Sequence, residues 1–185
     1  MSENQFGAPF CDRLRRIFEQ NRLDGYLTPE KIGRLADLAA HLVRENGKYN
    51  LTAVTDPDGI ILRHFADSAA LASYPDEGAR LLDVGCGAGF PSLVLAVLRP
   101  DLSVTAIDST EKRIRYVTGA AELLGLSNLT AAAMRAEDGA RPGNPMRGSF
   151  DIVTARAVAR LPVLAELCLP YVRVGGEFLA MKGSD

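Results

Sequence analysis

The pattern of hydrophobic and polar positions changes its period once along the chain. From Cys11 to Leu71 the hydrophobic residues recur at intervals of three and four, the spacing of amphipathic helices. From Arg80 onward, short hydrophobic runs alternate with helical segments. We therefore expect a helical extension over residues 1–78 and an α/β core over residues 79–185.

One helix of the extension is well marked. Its hydrophobic stripe consists of Ile32, Leu35, Leu38, Ala39, Leu42 and Val43. Thr28 suits the N-cap and Pro29 the first helical position, while Gly47 is expected to end the helix in the left-handed conformation. A further helix is predicted from Pro57 to Ala72.

The core is predicted to contain five strands with helices between them. The strands cover Leu81–Val84, Ser103–Ile107, Leu129–Ala133, Phe150–Thr154 and Glu177–Met181. The helices cover Pro91–Leu98, Thr110–Leu124 and Leu161–Cys168. Short hydrophobic strands that alternate with helices favour a parallel sheet with helices on both faces.

The first of these strands runs into a glycine-rich loop, Gly85-Cys86-Gly87-Ala88-Gly89, which precedes a helix. Gly85 allows a tight turn, and Gly87 lets a ligand approach the main chain. A dinucleotide-binding loop has its third small residue one position later, where this chain has Phe90, so a nicotinamide or flavin dinucleotide is disfavoured. A purely structural turn is the alternative to a cofactor site.

Asp108 ends the second strand and adds a second indication of a nucleoside. It follows the glycines at about the distance at which nucleotide-binding folds hold ribose hydroxyls. With no cradle for a pyrophosphate, the expected ligand is a nucleoside with a small charged tail. S-adenosylmethionine fits that description.

The residues after the later strands are rich in cations. Arg135 and Glu137 follow the third strand, Arg156 and Arg160 the fourth, and Lys182 the fifth. A single arginine after a strand is more often part of a surface ion pair. Several at one sheet edge, beside a cofactor loop, indicate an anionic substrate that carries phosphates. The "EKRIR" segment is interpreted as a solvated helix face.

Composition narrows the classes of protein further. The net charge is -2, and no hydrophobic run reaches the roughly 20 residues that a bilayer requires, so a membrane partner is not expected. Cys11, Cys86 and Cys168 are widely spaced and form no CxxC pair, which argues against disulfides and zinc and favours the cytoplasm. His64 is a candidate substrate contact, with helix packing or capping as the alternative.

Several segments occur in an order that is typical of one family. They are NLTAVTDPDGIILRHFADSAAL (Asn50–Leu71), LLDVGCGAGFPSLVLAVLRP (Leu81–Pro100), IDSTEKRIRYV, RAED, VTARAVARL and LAMKG. Together they closely resemble the bacterial small-subunit ribosomal RNA methyltransferase G family, also called glucose-inhibited division protein B. The resemblance implies a Rossmann-like class I methyltransferase sheet. It also implies methylation of N7 of a guanine in 16S rRNA, as bare RNA or in the 30S subunit, by S-adenosylmethionine.

The resemblance and the residue patterns together predict the site residues. The resemblance places cofactor contacts at Gly85, Phe90, Ala136, Glu137 and Arg156. The loop pattern adds Gly87 and Gly89, and the general methyltransferase pattern adds Asp108. The substrate candidates are Arg135, Arg160, Lys182 and His64. Neither a catalytic acid or base nor a metal is expected, since guanine N7 carries a lone pair and needs no deprotonation.

The chain also departs from the family pattern. Ser92 stands where the family often has glycine, and Val158 where it often has an aromatic residue. The family continues with two further strands and a helix, so the C-terminal strands are expected to be missing. Either the chain is a fragment, which is the favoured interpretation, or an unusual partner covers the edge of the fifth strand. A monomer is expected. Two alternatives stay open: a methyltransferase for a small molecule or protein, and a non-catalytic module that binds the cofactor.

Overall fold

A computed structural model describes residues 3–156 and 160–181 of the chain. Five strands form one parallel sheet in the order β3-β2-β1-β4-β5. They are β1 Arg80–Val84, β2 Ser103–Asp108, β3 Leu129–Ala133, β4 Phe150–Arg156 and β5 Val172–Met181. All five predicted strands are confirmed, although β5 begins at Val172 and not at Glu177. Val158 and Lys182 lie outside the described residues.

The helices account for most of the remaining described chain. They are α1 Ala8–Gln20, α2 Pro29–Tyr49, α3 Pro57–Gly59, α4 Asp67–Ala69, α5 Ser92–Leu98, α6 Glu111–Leu124, α7 Ala136–Gly139 and α8 Leu161–Cys168. A π-helix, Ile60–Ala66, joins α3 to α4, so the helix predicted from Pro57 is confirmed but ends at Ala69. Within the described ranges, no helix combines the length and the hydrophobicity that crossing a membrane requires.

The two ends of α2 were predicted with different success. The Thr28 side chain accepts a hydrogen bond from the Lys31 N–H at 3.3 Å, which confirms this N-cap. The prediction for Gly47 is wrong, because α2 continues past it and Asn50 ends the helix with a φ of 51°. Asparagine tolerates the left-handed conformation because its short side chain can bond locally, which makes it the second common residue at this position.

Helices cover both faces of the sheet, as predicted. Alternate residues of β1 point to opposite sides, and Leu81 packs in a large core whereas Leu82 packs in a smaller one. The large core is continuous from Phe10 in α1 to Ile152 in β4, and the smaller one includes Tyr171 after α8. The N-terminal helices therefore share the core of the sheet, while the domain boundary between residues 78 and 79 stays a prediction.

Asn128 fastens the end of α5 to the sheet, and we expect its loss to destabilise the fold. Its Nδ2 donates to the carbonyl oxygens of Ala96, Arg99 and Leu102 at 3.2, 3.3 and 3.2 Å. Asn128→Ala removes the only side-chain donor to these carbonyls and should lower the free energy of unfolding by about 1–3 kcal/mol. Urea unfolding checks this, with the exposed neighbour Ser127→Ala as control. Equal losses in the two variants would contradict it.

Candidate functional site

A cavity of about 500 Å³ opens at the carboxyl ends of β1, β2 and β4. Most of the predicted site residues line it, namely Gly85, Gly87, Phe90, Asp108, Ala136, Glu137, Arg156, Arg135 and His64. Gly89 and the exposed Arg160 are described but do not line this cavity. Lys182 falls outside the described residues. The position of the cavity is the one that parallel sheets offer to ligands, beyond the carboxyl ends of their strands.

The glycine loop is folded back onto β2 by main-chain hydrogen bonds. The N–H groups of Gly85 and Cys86 both donate to the Ile107 carbonyl, at 2.8 and 3.0 Å. The next glycine, Gly87, donates its N–H to Asp108 Oδ2 at 3.0 Å. Gly87 has a φ of 56°, and a Cβ built on it would meet no atom closer than 4.0 Å. The loop thus presents open main chain to the cavity, which fits a bound nucleoside.

Gly89 serves packing and does not face the cavity. It has a φ of 80°, and a Cβ built on it would collide with Leu93 and crowd Val117. Those two side chains belong to α5 and α6, so Gly89 allows both helices to approach the loop closely. Its predicted contact with a cofactor therefore has no support in this geometry.

Asp108 is almost fully buried and holds its surroundings together. Its Oδ1 accepts the N–H of Thr110 at 2.8 Å, and its Oδ2 accepts Gly87 and, at 3.3 Å, a guanidinium N–H of Arg113. A carboxylate offers about four acceptor positions, so one remains for a ligand. If two ribose hydroxyls bound to Asp108, the half-exposed Arg113 would have to move away to free a second acceptor position. Arg113 thus lines the cavity, although its segment was predicted to be a solvated face.

Phe90, His64 and Arg156 form one wall of the cavity. The rings of Phe90 and His64 are stacked, with centroids 4.5 Å apart and planes 9° from parallel. The guanidinium carbon of Arg156 lies 5.5 Å from the centroid of the Phe90 ring. Arg156 is held by the Arg63 carbonyl, which accepts its Nη1 at 3.0 Å. The bulky residue that excluded a dinucleotide loop is therefore the centre of an aromatic and cationic wall.

The His64 ring is uncharged at neutral pH, and both its nitrogens have protein partners. Nε2 lies 3.0 Å from the Thr52 hydroxyl, and Nδ1 lies 3.2 Å from the Arg63 carbonyl oxygen. Burial, and then the positive charge of Arg156, lower the pKa of His64 to about 4. The two roles predicted for His64, a substrate contact and a packing residue, are thus compatible, since it packs against Phe90 and also lines the cavity.

A buried carboxyl group lies beneath the glycine loop. Asp83 is fully buried, and its Oδ2 accepts the N–H of Ser92, the first residue of α5, at 3.2 Å. Its other oxygen and the Ser92 hydroxyl have no hydrogen-bond partner. Burial raises the pKa of Asp83 to about 6, against the opposing effects of Ser92 and Arg156.

The cavity contains no activated nucleophile. Burial raises the pKa of the Cys86 thiol well above its usual range, and the negative charges of Asp83 and Asp108 raise it further. The thiol therefore stays protonated at neutral pH. Throughout residues 3–156 and 160–181, no group of three His, Cys, Asp or Glu side chains is arranged to hold a metal ion.

Sequence reasoning missed several residues of the site. Thr52 entered the sequence analysis only within the segment Asn50–Leu71 that carries the family resemblance, and its contact with His64 has no sequence signal. Arg113 was assigned to solvent, although its place three residues after the N-cap Thr110 puts it near the end of β2. Helical periodicity from Thr110 would have found it.

Solved structures that share the fold include methyltransferases. A precorrin-6y C5,15-methyltransferase from Geobacter metallireducens matches 74% of this chain and 69% of its own, with a TM-score of 0.54 and 11% identity. An S-adenosylmethionine-dependent O-methyltransferase from Thermotoga maritima matches 75% and 49%, with a TM-score of 0.52 and 21% identity. At such identities the likeness shows the fold alone. The sheet order and the glycine loop define the class, a Rossmann-like methyltransferase that uses S-adenosylmethionine.

Within that class, the chain belongs to the family described as rRNA small subunit methyltransferase G (GidB), which matches residues 31–185. A relative of that name from Lactobacillus delbrueckii subsp. bulgaricus is 48% identical over 162 residues, 85% of this chain and 67% of its own length. One from Clostridium beijerinckii is 47% identical over 94% of this chain and 72% of its own. One from Geobacillus thermodenitrificans is 53% identical over 78% and 61%. The chain thus spans about two thirds of the length of these relatives.

The two inner glycines should respond differently to alanine. Gly87→Ala should cost about 1–2 kcal/mol of stability for the left-handed backbone. The added methyl group would point into the open space of the cavity, where the cofactor is expected to bind. The substitution should therefore also weaken S-adenosylmethionine binding about tenfold or more. Gly89→Ala should destabilise the fold by more than Gly87→Ala, because it also collides with Leu93. Thermal unfolding and calorimetric titration check both variants, and a Gly87→Ala protein with unchanged affinity would contradict the assignment.

His64 and Asp83 should give opposite pH dependences to the stability. The pKa of His64 is about 4 against an ordinary 6.5, so its contribution is lost as the pH falls through this window. The pKa of Asp83 is about 6 against an ordinary 3.8, so its contribution is lost as the pH rises through nearly the same window. Between pH 4.5 and 6.5, each effect should amount to roughly 2 kcal/mol and offset the other.

Two variants separate these effects. Asp83→Asn should make stability rise with pH more steeply than in the wild type, and His64→Gln should make it fall. Urea unfolding at pH 4.5 and 6.5 measures both, and the other titrating groups cancel because all three proteins share them. Parallel profiles for the three proteins would show that these pKa values are not shifted as described.

Proposed function

We propose that this chain transfers a methyl group from S-adenosylmethionine to N7 of a guanine in 16S rRNA. The observation that carries the proposal is a cavity that joins the open glycine loop to the wall of Phe90, His64 and Arg156. Methylation at N7 uses a lone pair that neutral guanine already has, so no base is needed. Membership of the ribosomal RNA methyltransferase G family supports the same substrate.

The groups that line the cavity near the glycine loop suit S-adenosylmethionine. The open main chain at Gly87 leaves room for a nucleoside, and Asp108 retains acceptor capacity for a ribose hydroxyl. Ala136 and Glu137, at the start of α7, line the same cavity and are assigned to the cofactor with Gly85 and Phe90. When bound, S-adenosylmethionine supplies a methyl group on a positively charged sulfur.

The side chains of the wall would position the reacting atoms. Arg156 uses one N–H on the Arg63 carbonyl and retains further donors for an anionic or carbonyl oxygen in the cavity. A protonated His64 would repel a sulfonium cation, and its low pKa prevents this at neutral pH. The expected reaction is an in-line displacement in which guanine N7 attacks the methyl carbon and the sulfur leaves. Its rate would rest on orientation and exclusion of water.

The rim of the cavity suits RNA. Arg63, Arg113 and Arg135 are exposed on elements that border it, and Arg160 lies exposed before α8. Arg135 is only loosely paired with Glu137, at 3.7 Å, in water-exposed surroundings where ion pairs are weak. These guanidinium groups would hold phosphates of 16S rRNA, free or in the 30S subunit, around an unstacked guanine. Lys182 stays a proposed member of this set.

We also infer a monomeric protein of the cytoplasm. Cys11, Cys86 and Cys168 are all free thiols, and the last two are buried, as a reducing compartment permits. Light scattering in solution tests the monomeric state.

A transfer assay tests the proposed function. Purified protein is mixed with methyl-labelled S-adenosylmethionine and 16S rRNA that lacks the mark, both bare and in 30S subunits. Label should appear at one guanine, as 7-methylguanosine, in a nuclease digest. Asp108→Asn should weaken cofactor binding about tenfold, since it removes a charge and one acceptor oxygen from the network around Gly87.

The outcomes separate the alternatives. Label at another atom of guanine would overturn the N7 assignment alone. Binding of S-adenosylmethionine without transfer to either RNA substrate would indicate a non-catalytic module. Asp24→Asn serves as the matched control for Asp108→Asn, because it makes the same change at an exposed residue that does not line the cavity, and it should leave cofactor binding unchanged.

A further inference from the structure

A hydrogen-bonded chain runs from the end of α2 to the wall of the cavity. It starts at Asn46, whose Nδ2 donates to the Thr52 carbonyl at 2.9 Å. The Oδ1 of Asn46 accepts the N–H groups of Leu51 and Thr52 at 2.7 and 2.9 Å. Asn46 itself does not line the cavity. Its side chain thus fixes the main chain at Thr52, the residue that does line it.

The Arg63 carbonyl and the Thr52 hydroxyl together favour one tautomer of His64. Its oxygen already accepts the Val54 N–H at 3.0 Å, so its proton is free to be donated to His64 Nε2, also at 3.0 Å. The proton of the neutral ring then resides on Nδ1, which donates to the Arg63 carbonyl at 3.2 Å. The same carbonyl accepts Nη1 of Arg156. One carbonyl oxygen therefore holds both His64 and Arg156.

We propose that Asn46 and Thr52 are positioning residues for the methyl transfer, which they influence through His64. They help to set the tautomer of the ring that stacks on Phe90 and shares an acceptor with Arg156. The reaction they serve is the one proposed above, so this inference rests on that proposal.

The physical effect follows from the two tautomers. With the proton on Nε2, the Nδ1 lone pair would face the Arg63 carbonyl oxygen at 3.2 Å, which is repulsive. Nδ1 would instead attract Nη2 of Arg156, which lies 3.5 Å away. Arg156 would then exchange the carbonyl for the imidazole as its partner. Together with the Arg63 carbonyl, the hydroxyl of Thr52 thus favours the tautomer in which Arg156 keeps its carbonyl partner, and small displacements in a reacting complex are costly.

Thr52→Val tests the inference, because valine keeps the shape of threonine and removes the hydroxyl. The ¹⁵N NMR spectrum of the imidazole rings should show His64 protonated on Nδ1 in the wild type. In the variant a larger fraction should be protonated on Nε2, because Nε2 loses its donor while the Arg63 carbonyl still favours the proton on Nδ1. The chain has two histidines, and His64→Gln assigns the signals. We expect kcat for methyl transfer to fall about tenfold to a hundredfold, with the Kd for S-adenosylmethionine changing about threefold or less.

Three further variants complete the design. Thr52→Ser keeps a hydroxyl and should recover the Nδ1 tautomer and most of the rate. Thr55→Val makes the same change at an exposed position of the same loop and should leave rate and tautomer unchanged. Asn46→Ala should lower kcat and mix the tautomers, because the main chain at Thr52 loses its anchor. Thermal unfolding of each variant separates these effects from a loss of folded protein.

Several results would overturn the inference. An Nε2-protonated His64 in the wild type would refute the chain of donors directly, even if Thr52→Val does not fold. A Thr52→Val protein with kcat within twofold of the wild type, or a Thr55→Val protein as slow as Thr52→Val, would refute the positioning role. The tautomer is read without RNA, so its failure is distinct from a wild-type protein that methylates no RNA, which would refute the proposed function.

Discussion

The site depends on the hydrogen bonds that tie the glycine loop to the end of β2. The Ile107 carbonyl accepts two successive N–H groups of the loop, and the Asp108 carboxylate accepts a third. These bonds require left-handed backbone at Gly85 and Gly87, which glycine alone adopts at little cost. Once the loop is fixed, Phe90 follows in a position set by the main chain, and its ring is placed against His64.

Around this loop, two buried titratable side chains are uncharged and the cations at the surface lie farther out. His64 and Cys86 are buried enough to be uncharged at neutral pH. The Asp108 carboxyl accepts an N–H of Arg113, and the Arg156 guanidinium donates to the Arg63 carbonyl. The exposed cations lie farther out, on the rim. In the proposed reaction, the cationic cofactor would meet a carboxylate and main-chain groups, and the RNA would meet the arginines.

The sequence allowed much of the fold to be predicted, because its signals are local. The periodicity gave all five strands, and Thr28 before Pro29 marked the start of α2. The same local signals failed at Gly47, since Asn50 competes for the cap and the side chain of Asn46 binds the loop beyond.

The candidate site was only partly predictable for a related reason. The glycine loop and Asp108 are recognisable because their spacing follows from the βαβ unit itself. The pairing of Thr52 with His64 depends on side-chain geometry that no spacing encodes. The pairing of Arg113 with Asp108 was missed, although helical periodicity from Thr110 places Arg113 near the end of β2. Gly89 shows that a motif can also mislead. Its place in the glycine loop predicted a ligand contact, but its neighbours are hydrophobic side chains.

The shared core limits how the cavity can open. An aromatic series connects the N-terminus to the cofactor loop: Phe6 to Phe10 at 5.2 Å, Phe10 to Phe65 at 6.5 Å and Phe65 to Phe90 at 6.2 Å. If the N-terminal helices moved away as a lid, these aromatic contacts would be lost, and the hydrophobic core on one side of the sheet would be exposed to water. Ligands must therefore enter and leave through the mouth between the rim arginines, and the helices and sheet should melt as one cooperative unit.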